Sequence, residues 1–187
     1  MAGTDTNLED QIRISFENII KVYTESSMLL LDASQIILKD KDYKDLAYIC
    51  PHGNTLGTNQ SKNINYPADW ITPYGARYFS SEKYPKTLLG ICIIYIGPEN
   101  TPVNPIIVYG KFNMKENIRD NYEYNYLRHS WYHLIKNRDL EIPHSVVPTP
   151  DLFFKSGIIV GVALTKLKNL KCVKDEIVSP LMNLLEK

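Results

Sequence analysis

The sequence predicts an α+β fold: a mainly antiparallel sheet with a long N-terminal helix, a central helix and a C-terminal helix packed on it. Three observations lead there. Apolar residues recur at helical spacing through most of the first forty positions. Three short, β-branched, nearly continuous apolar runs occupy residues 87–96 (TLLGICIIYI), 105–112 (PIIVYGKF) and 157–164 (GIIVGVAL). Such runs read as strands buried on both faces. Finally, the first two runs are separated only by GPENTPVN, so an antiparallel hairpin is the default connection. The order helix, hairpin, helix, strand, helix with antiparallel neighbours is the α+β pattern. At 187 residues the chain suits one domain, residues 1–187, with a full core.

Thr6 and Glu9 stand at capping-box spacing. Behind them Leu8, Ile12, Phe16, Ile19, Tyr23, Leu30 and Ile37 form one stripe, with no proline or glycine after Gly3 until Pro51. One long helix over residues 7–39 is expected, or two helices broken near Ser26 and Ser27. The stripe widens at residues 28–31 (MLLL), which are expected to be covered all round, with the first turns covered on one face. A polar KDKDYKD run follows, and residues 46–49 read as a short helical turn. Residues 51–67 (PHGNTLGTNQSKNINYP) form a polar loop, longer than compact domains ordinarily carry, and so a candidate lid or partner clamp.

The sheet region is expected over residues 69–165, with 77–80 as an edge strand. Residues 117–137 read as the inserted central helix, bearing Tyr122, Tyr126, Trp131 and Leu134. Residues 140–151, with three prolines, read as an extended connector. The C-terminal helix is expected over residues 174–187, kinked or restarted by Pro180 near Ser179. The first helix should lie on one face of the sheet, with the second or last helix, or another subunit, on the other.

Lysine plus arginine equals aspartate plus glutamate, so the formal charge is zero. A neutral chain offers no global field for phosphate backbones or anionic lipid, which argues against a DNA-packaging or membrane-surface role. No apolar run reaches the ~18 residues needed to span a bilayer. Cys50, Cys92 and Cys172 are an odd set with no CxxC spacing. A reducing compartment fits them better than a disulfide framework. The N-terminal residues lack a basic segment followed by an apolar one, and a cytoplasmic location is expected.

One segment carries residues suited to catalysis. Residues 128–133 (RHSWYH) place an arginine, a polar residue directly after it, and a histidine five on from the arginine. The spacing resembles the R-[N/D/H]-x3-H signature of HEPN-type ribonucleases. That resemblance implies a composite site built from two copies, in which the RNA 2′-hydroxyl attacks its neighbouring phosphate without metal. Arg128 would hold the phosphate with its planar fork. His133 would shuttle the proton, and His129 would take the polar position. The competing reading makes the same six residues a partly buried aromatic helix face. His129 and His133 also share a helical face, but Ser-Trp-Tyr between them lacks the glutamate of a zinc hydrolase, and no metal or cofactor is expected.

Tyrosines at 122, 124 and 126 alternate, so on a helix they cannot all face one core. Tyrosine has an apolar body and a polar tip, which suits interfaces. The expected function is therefore a non-catalytic binding or assembly module, an accessory or adaptor subunit acting through protein–protein contacts. Tyr122, Tyr126, Trp131 and Tyr132, with His52 and Asn54 of the polar loop, are its candidate contact residues. A protein partner or a homo-oligomer is expected, and RNA only under the ribonuclease alternative. A second alternative is a small-ligand sensor with the sheet as pocket floor and residues 51–67 as lid.

Overall fold

Six antiparallel strands form the sheet at the centre of the computed structural model, which describes residues 7–40, 45–49, 74–96, 102–118, 140–146 and 154–186. Helix α1 (Leu8–Lys39) precedes β1 (Leu46–Ile49), β2 (Tyr74–Ser81), β3 (Tyr84–Ile96), β4 (Pro102–Met114), β5 (His144–Val146) and β6 (Phe154–Ala163). A 3-10 turn (Leu164–Lys166), α2 (Leu170–Val173), a π turn (Lys174–Val178) and α3 (Ser179–Glu186) complete the order. Spatially the strands run β1-β2-β3-β4-β6-β5, and every neighbouring pair is antiparallel.

The apolar runs at 87–96, 105–112 and 157–164 supply the three central strands. Ile93 faces Ile107 across β3 and β4, and Val108 faces Gly161 across β4 and β6. Alternate residues point to opposite faces, so these runs must bury both. They do. Leu89, Ile91, Ile93, Ile107, Val160 and Val162 belong to one core, and Leu88, Cys92, Ile94, Val108, Phe112 and Ile159 to the other. Cys92 is a buried free thiol, filling its place as a small hydrophobe.

Glycine matters where β4 meets β6. A side chain at Gly110 would stand 2.5 Å from the Ile158 carbonyl oxygen. At Gly157 it would stand 2.7 Å from the Phe112 ring, which lies over that position and meets Phe154 edge to face at 5.4 Å. On β2, by contrast, a methyl added at Gly75 would make only an ordinary contact with Leu30 of α1, whose Cδ1 would lie 3.6 Å away.

Several expectations are corrected. The N-cap of α1 is Asn7, whose side chain accepts from the Asp10 amide at 2.9 Å, rather than Thr6. A single helix passes through Ser26 and Ser27 without a break. Met28 and Leu31 are exposed rather than enclosed, because the buried face of the helix is Ser26, Leu30, Ala33, Ser34 and Ile37, with Leu29 and Ile36 partly buried beside it. Residues 46–49 form strand β1, not a helical turn. Four residues are too few to sustain a helix, whereas β2 offers partners for their backbone groups, and the Ser81 hydroxyl donates to the Asp45 carboxylate beside them. With β1 outside it, β2 is an interior strand, not an edge.

The connector expected over residues 140–151 contains the opposite edge strand, β5. It is entered through Glu141, which sits at φ 70, donates its amide to the Gly161 carbonyl and pairs its carboxylate with Lys166 at 2.6 Å. The C-terminal helical segment begins at Leu170, capped by Asn169, ahead of the expected start. Pro180 acts near the expected place. A π turn widens the helix just before it, and α-helix resumes at Ser179. The wider turn accommodates a proline that would otherwise crowd the carbonyl four residues back. The central helix expected at 117–137 lies outside the described residues, apart from Asn117 and Ile118, which are not helical. The Ile118 amide donates to the Pro85 carbonyl at 2.8 Å and pins the end of β4 beside the start of β3.

Both terminal helical segments occupy the same face of the sheet, which excludes the last helix as the cover of the other face; the second helix expected there lies outside the described residues. Leu30, Ala33 and Ile37 of α1 share one core with Val173, Ile177, Leu181, Met182 and Leu185. Among the described residues, Ile118 and Leu140 pack against the other face.

Candidate functional site

Helix α1 changes character along its length. Apolar or small residues at 12, 16, 19, 23, 26, 30, 33 and 37 keep alternating three- and four-residue spacing, the repeat by which a helix presents one continuous seam to a partner. From Ser26 onward that seam is buried against the sheet. At the point where the helix leaves the sheet, Tyr23 meets Tyr95 edge to face at 5.0 Å. Burial raises the Tyr95 phenol, and its hydrogen bond to Ser26 partly offsets this.

Towards the N-terminus from Tyr23 the seam, and Ile20 beside it, have nothing described against them. Leu8, Ile12, Phe16 and Ile20, each four residues after the last, are 70%, 50%, 63% and 63% exposed. Ile14 and Val22 are exposed as well. The helix spans about 48 Å, and this free part about 20 Å. Single exposed apolar residues are ordinary on a protein surface; a contiguous row of large ones marks an interaction site.

A charged row runs beside the apolar one. Glu9, Arg13, Glu17, Lys21 and Glu25 follow at four-residue intervals with strictly alternating sign. Arg13 pairs with Glu17 at 2.9 Å and with Asp10 at 3.1 Å, and Lys21 lies 3.9 Å from Glu25. These exposed pairs add little to overall stability, but they support a helix that lacks a packed face. Over residues 8–25 four carboxylates stand against two cations, a net charge of −2. That sign disfavours anionic lipid and nucleic acid as the surface this row would meet.

The candidate residues of the ribonuclease-like segment (Arg128, His129 and His133), the aromatic contacts Tyr122, Tyr126, Trp131 and Tyr132, and the loop residues His52 and Asn54 all lie outside the described residues. Among the described residues, no group of three or more histidine, cysteine, aspartate or glutamate side chains could hold a metal ion. No described helix is long and apolar enough to cross a membrane. Hydrogen bonds to carboxylates raise the exposed Arg13 and Lys166, and the other titration shifts mark burial. Burial, with a smaller contribution from Glu176, pushes the Tyr109 phenol up to about 12, and burial lowers Lys111.

Apart from Ile20, the exposed row was in view in the sequence within the first half of the helical stripe, but its periodicity is the same where the stripe is buried. Periodicity reports a face and not what covers it. Compared with protein-family models, with curated proteins and with solved structures, the chain matches none.

Proposed function

We propose that this chain is a binding and assembly module, an accessory or adaptor subunit that works through protein–protein contacts in a reducing, cytoplasmic setting. The observation that carries the reading is the row Leu8, Ile12, Phe16 and Ile20, large apolar side chains left in solvent on a helix whose continuation is buried. A helix of that length gains most of its stability from a packed face, so leaving the face bare is unfavourable unless a partner covers it. The free thiols Cys92 and Cys172 are consistent with the reducing setting.

The test is Phe16→Asp. Phe16 is exposed, so the substitution should leave the fold intact by circular dichroism and thermal melting while abolishing association, with itself or with a purified binding protein. Association unaffected by Phe16→Asp and Ile12→Asp would remove the basis of the reading. Cleavage of RNA that persists in chelator and disappears with either Arg128→Ala or His133→Ala would replace it with the metal-independent ribonuclease.

A further inference from the structure

We propose that the first half of α1, Leu8 to Val22, is a conditional helix: it melts independently of the domain, inward from Asn7 to the contact between Tyr23 and Tyr95. This holds whatever meets the exposed row, and it divides one continuous helix into two structural units.

Tertiary support changes abruptly along α1. Ser26, Leu30, Ala33, Ser34 and Ile37 are buried. At the boundary Tyr23 meets the Tyr95 ring edge to face, and Tyr95 is hydrogen-bonded to Ser26. From Leu8 to Val22 no residue is buried. A helix in a protein gains most of its stability from a packed face, so this half depends on what its own residues supply.

They supply little. Ile12, Ile14, Ile19, Ile20 and Val22 are β-branched, and each loses side-chain freedom against the preceding turn. The Ser15 hydroxyl donates back to the Gln11 carbonyl, which slightly weakens a helix. Against this stand the Asn7 cap, the acidic first turn and the exposed pairs of Arg13 and Lys21, each a small contribution. Because the anchored half already provides the nucleus, the free half melts residue by residue from its N-terminus and not all at once. Under the assembly reading a partner completes this helix as it binds, and the ordering lowers its affinity.

Hydrogen exchange of the full chain, followed amide by amide in dilute solution by nuclear magnetic resonance, should separate the two halves. Amides from Ile12 to Val22 should exchange at most about tenfold more slowly than in an unfolded chain, and those from Ala33 to Ile37 about a thousandfold more slowly or beyond. Asn18 is exposed and lies in the free half, so Asn18→Gly and Asn18→Ala alter helix propensity there and no packing. Exchange from Ile12 to Val22 should be faster in the glycine variant than in the alanine variant, by up to about fivefold. Exchange from Ala33 to Ile37 should agree between the two variants within about twofold. Three results would overturn the inference. They are exchange over the first half as slow as over the second, exchange over the second half as fast as over the first, and Asn18 variants that shift both halves equally, as one cooperative helix would.

Discussion

Ile107 is the most direct probe of the sheet, because it is fully buried on the central strand β4 and faces Ile93 on β3 within one core. Changing it to alanine removes three carbon atoms, about 2.4 kcal/mol of lost burial at ~0.8 kcal/mol each. The cavity left behind raises the expected cost to about 3–4 kcal/mol, within the usual range of roughly 2–5 kcal/mol. Ile93→Ala and Ile159→Ala, also fully buried, should fall in the same range. The pairings make a sharper claim. Ile93 and Ile107 share a cavity, so their double variant should depart from additivity by about 0.5 kcal/mol or more. Ile159 belongs to the core on the other face, so Ile93→Ala with Ile159→Ala should add to within ~0.5 kcal/mol. Urea unfolding would measure both, at one protein concentration so that any self-association is held constant, and with the denaturant slope checked for change. Losses below about 1 kcal/mol at all three sites would refute the placement of the strands. Strict additivity of Ile93 with Ile107 would refute their facing register.

Gly157→Ala should cost about 1–3 kcal/mol in a thermal or urea melt, because the new methyl meets the buried Phe112 ring at 2.7 Å and Phe154 limits the ring's retreat. Tyr109 should make stability fall in alkali. Burial raises its folded pKa to about 12, so the neutral phenol's contribution is complete below the unfolded value near 10 and is lost as pH climbs from there through 12. An ultraviolet absorbance titration should show a late tyrosine step that Tyr109→Phe removes. A thiol reagent should label Cys172 in the native protein well before Cys92, whose pKa is pushed far up by burial; equal rates would mean that the second core is open.

Much of the architecture follows from local chemistry in the chain. Isoleucine, valine and leucine packed without alternation at 87–96, 105–112 and 157–164 can only be strands buried on both sides, and the short link between the first two makes them antiparallel. The helical spacing behind Asn7 likewise specifies helix over most of residues 8–39, though not whether it breaks near Ser26 and Ser27, and Pro180 specifies a disturbance just ahead of it. What failed were segments whose local signal is weak. Residues 46–49 and 144–146 are too short for periodicity to speak, and they became edge strands because β2 and β6 presented unpaired backbone groups to them. The side of the sheet taken by the last helix was also unreadable, since an apolar face specifies burial but not against which of two apolar surfaces.

The candidate site divides along the same line. By itself the sequence determined that α1 carries a continuous apolar stripe from Leu8 to Ile37 with a row of alternating charge beside its first half. Only the tertiary structure decided that the stripe is sealed from Ser26 onward and bare before it. The physical reason is that periodicity is a property of one helix, whereas coverage depends on where the sheet surface ends beneath it. Tyr95 and Gly75 receive Tyr23 and Leu30, and beyond them the described residues offer the helix no further apolar surface.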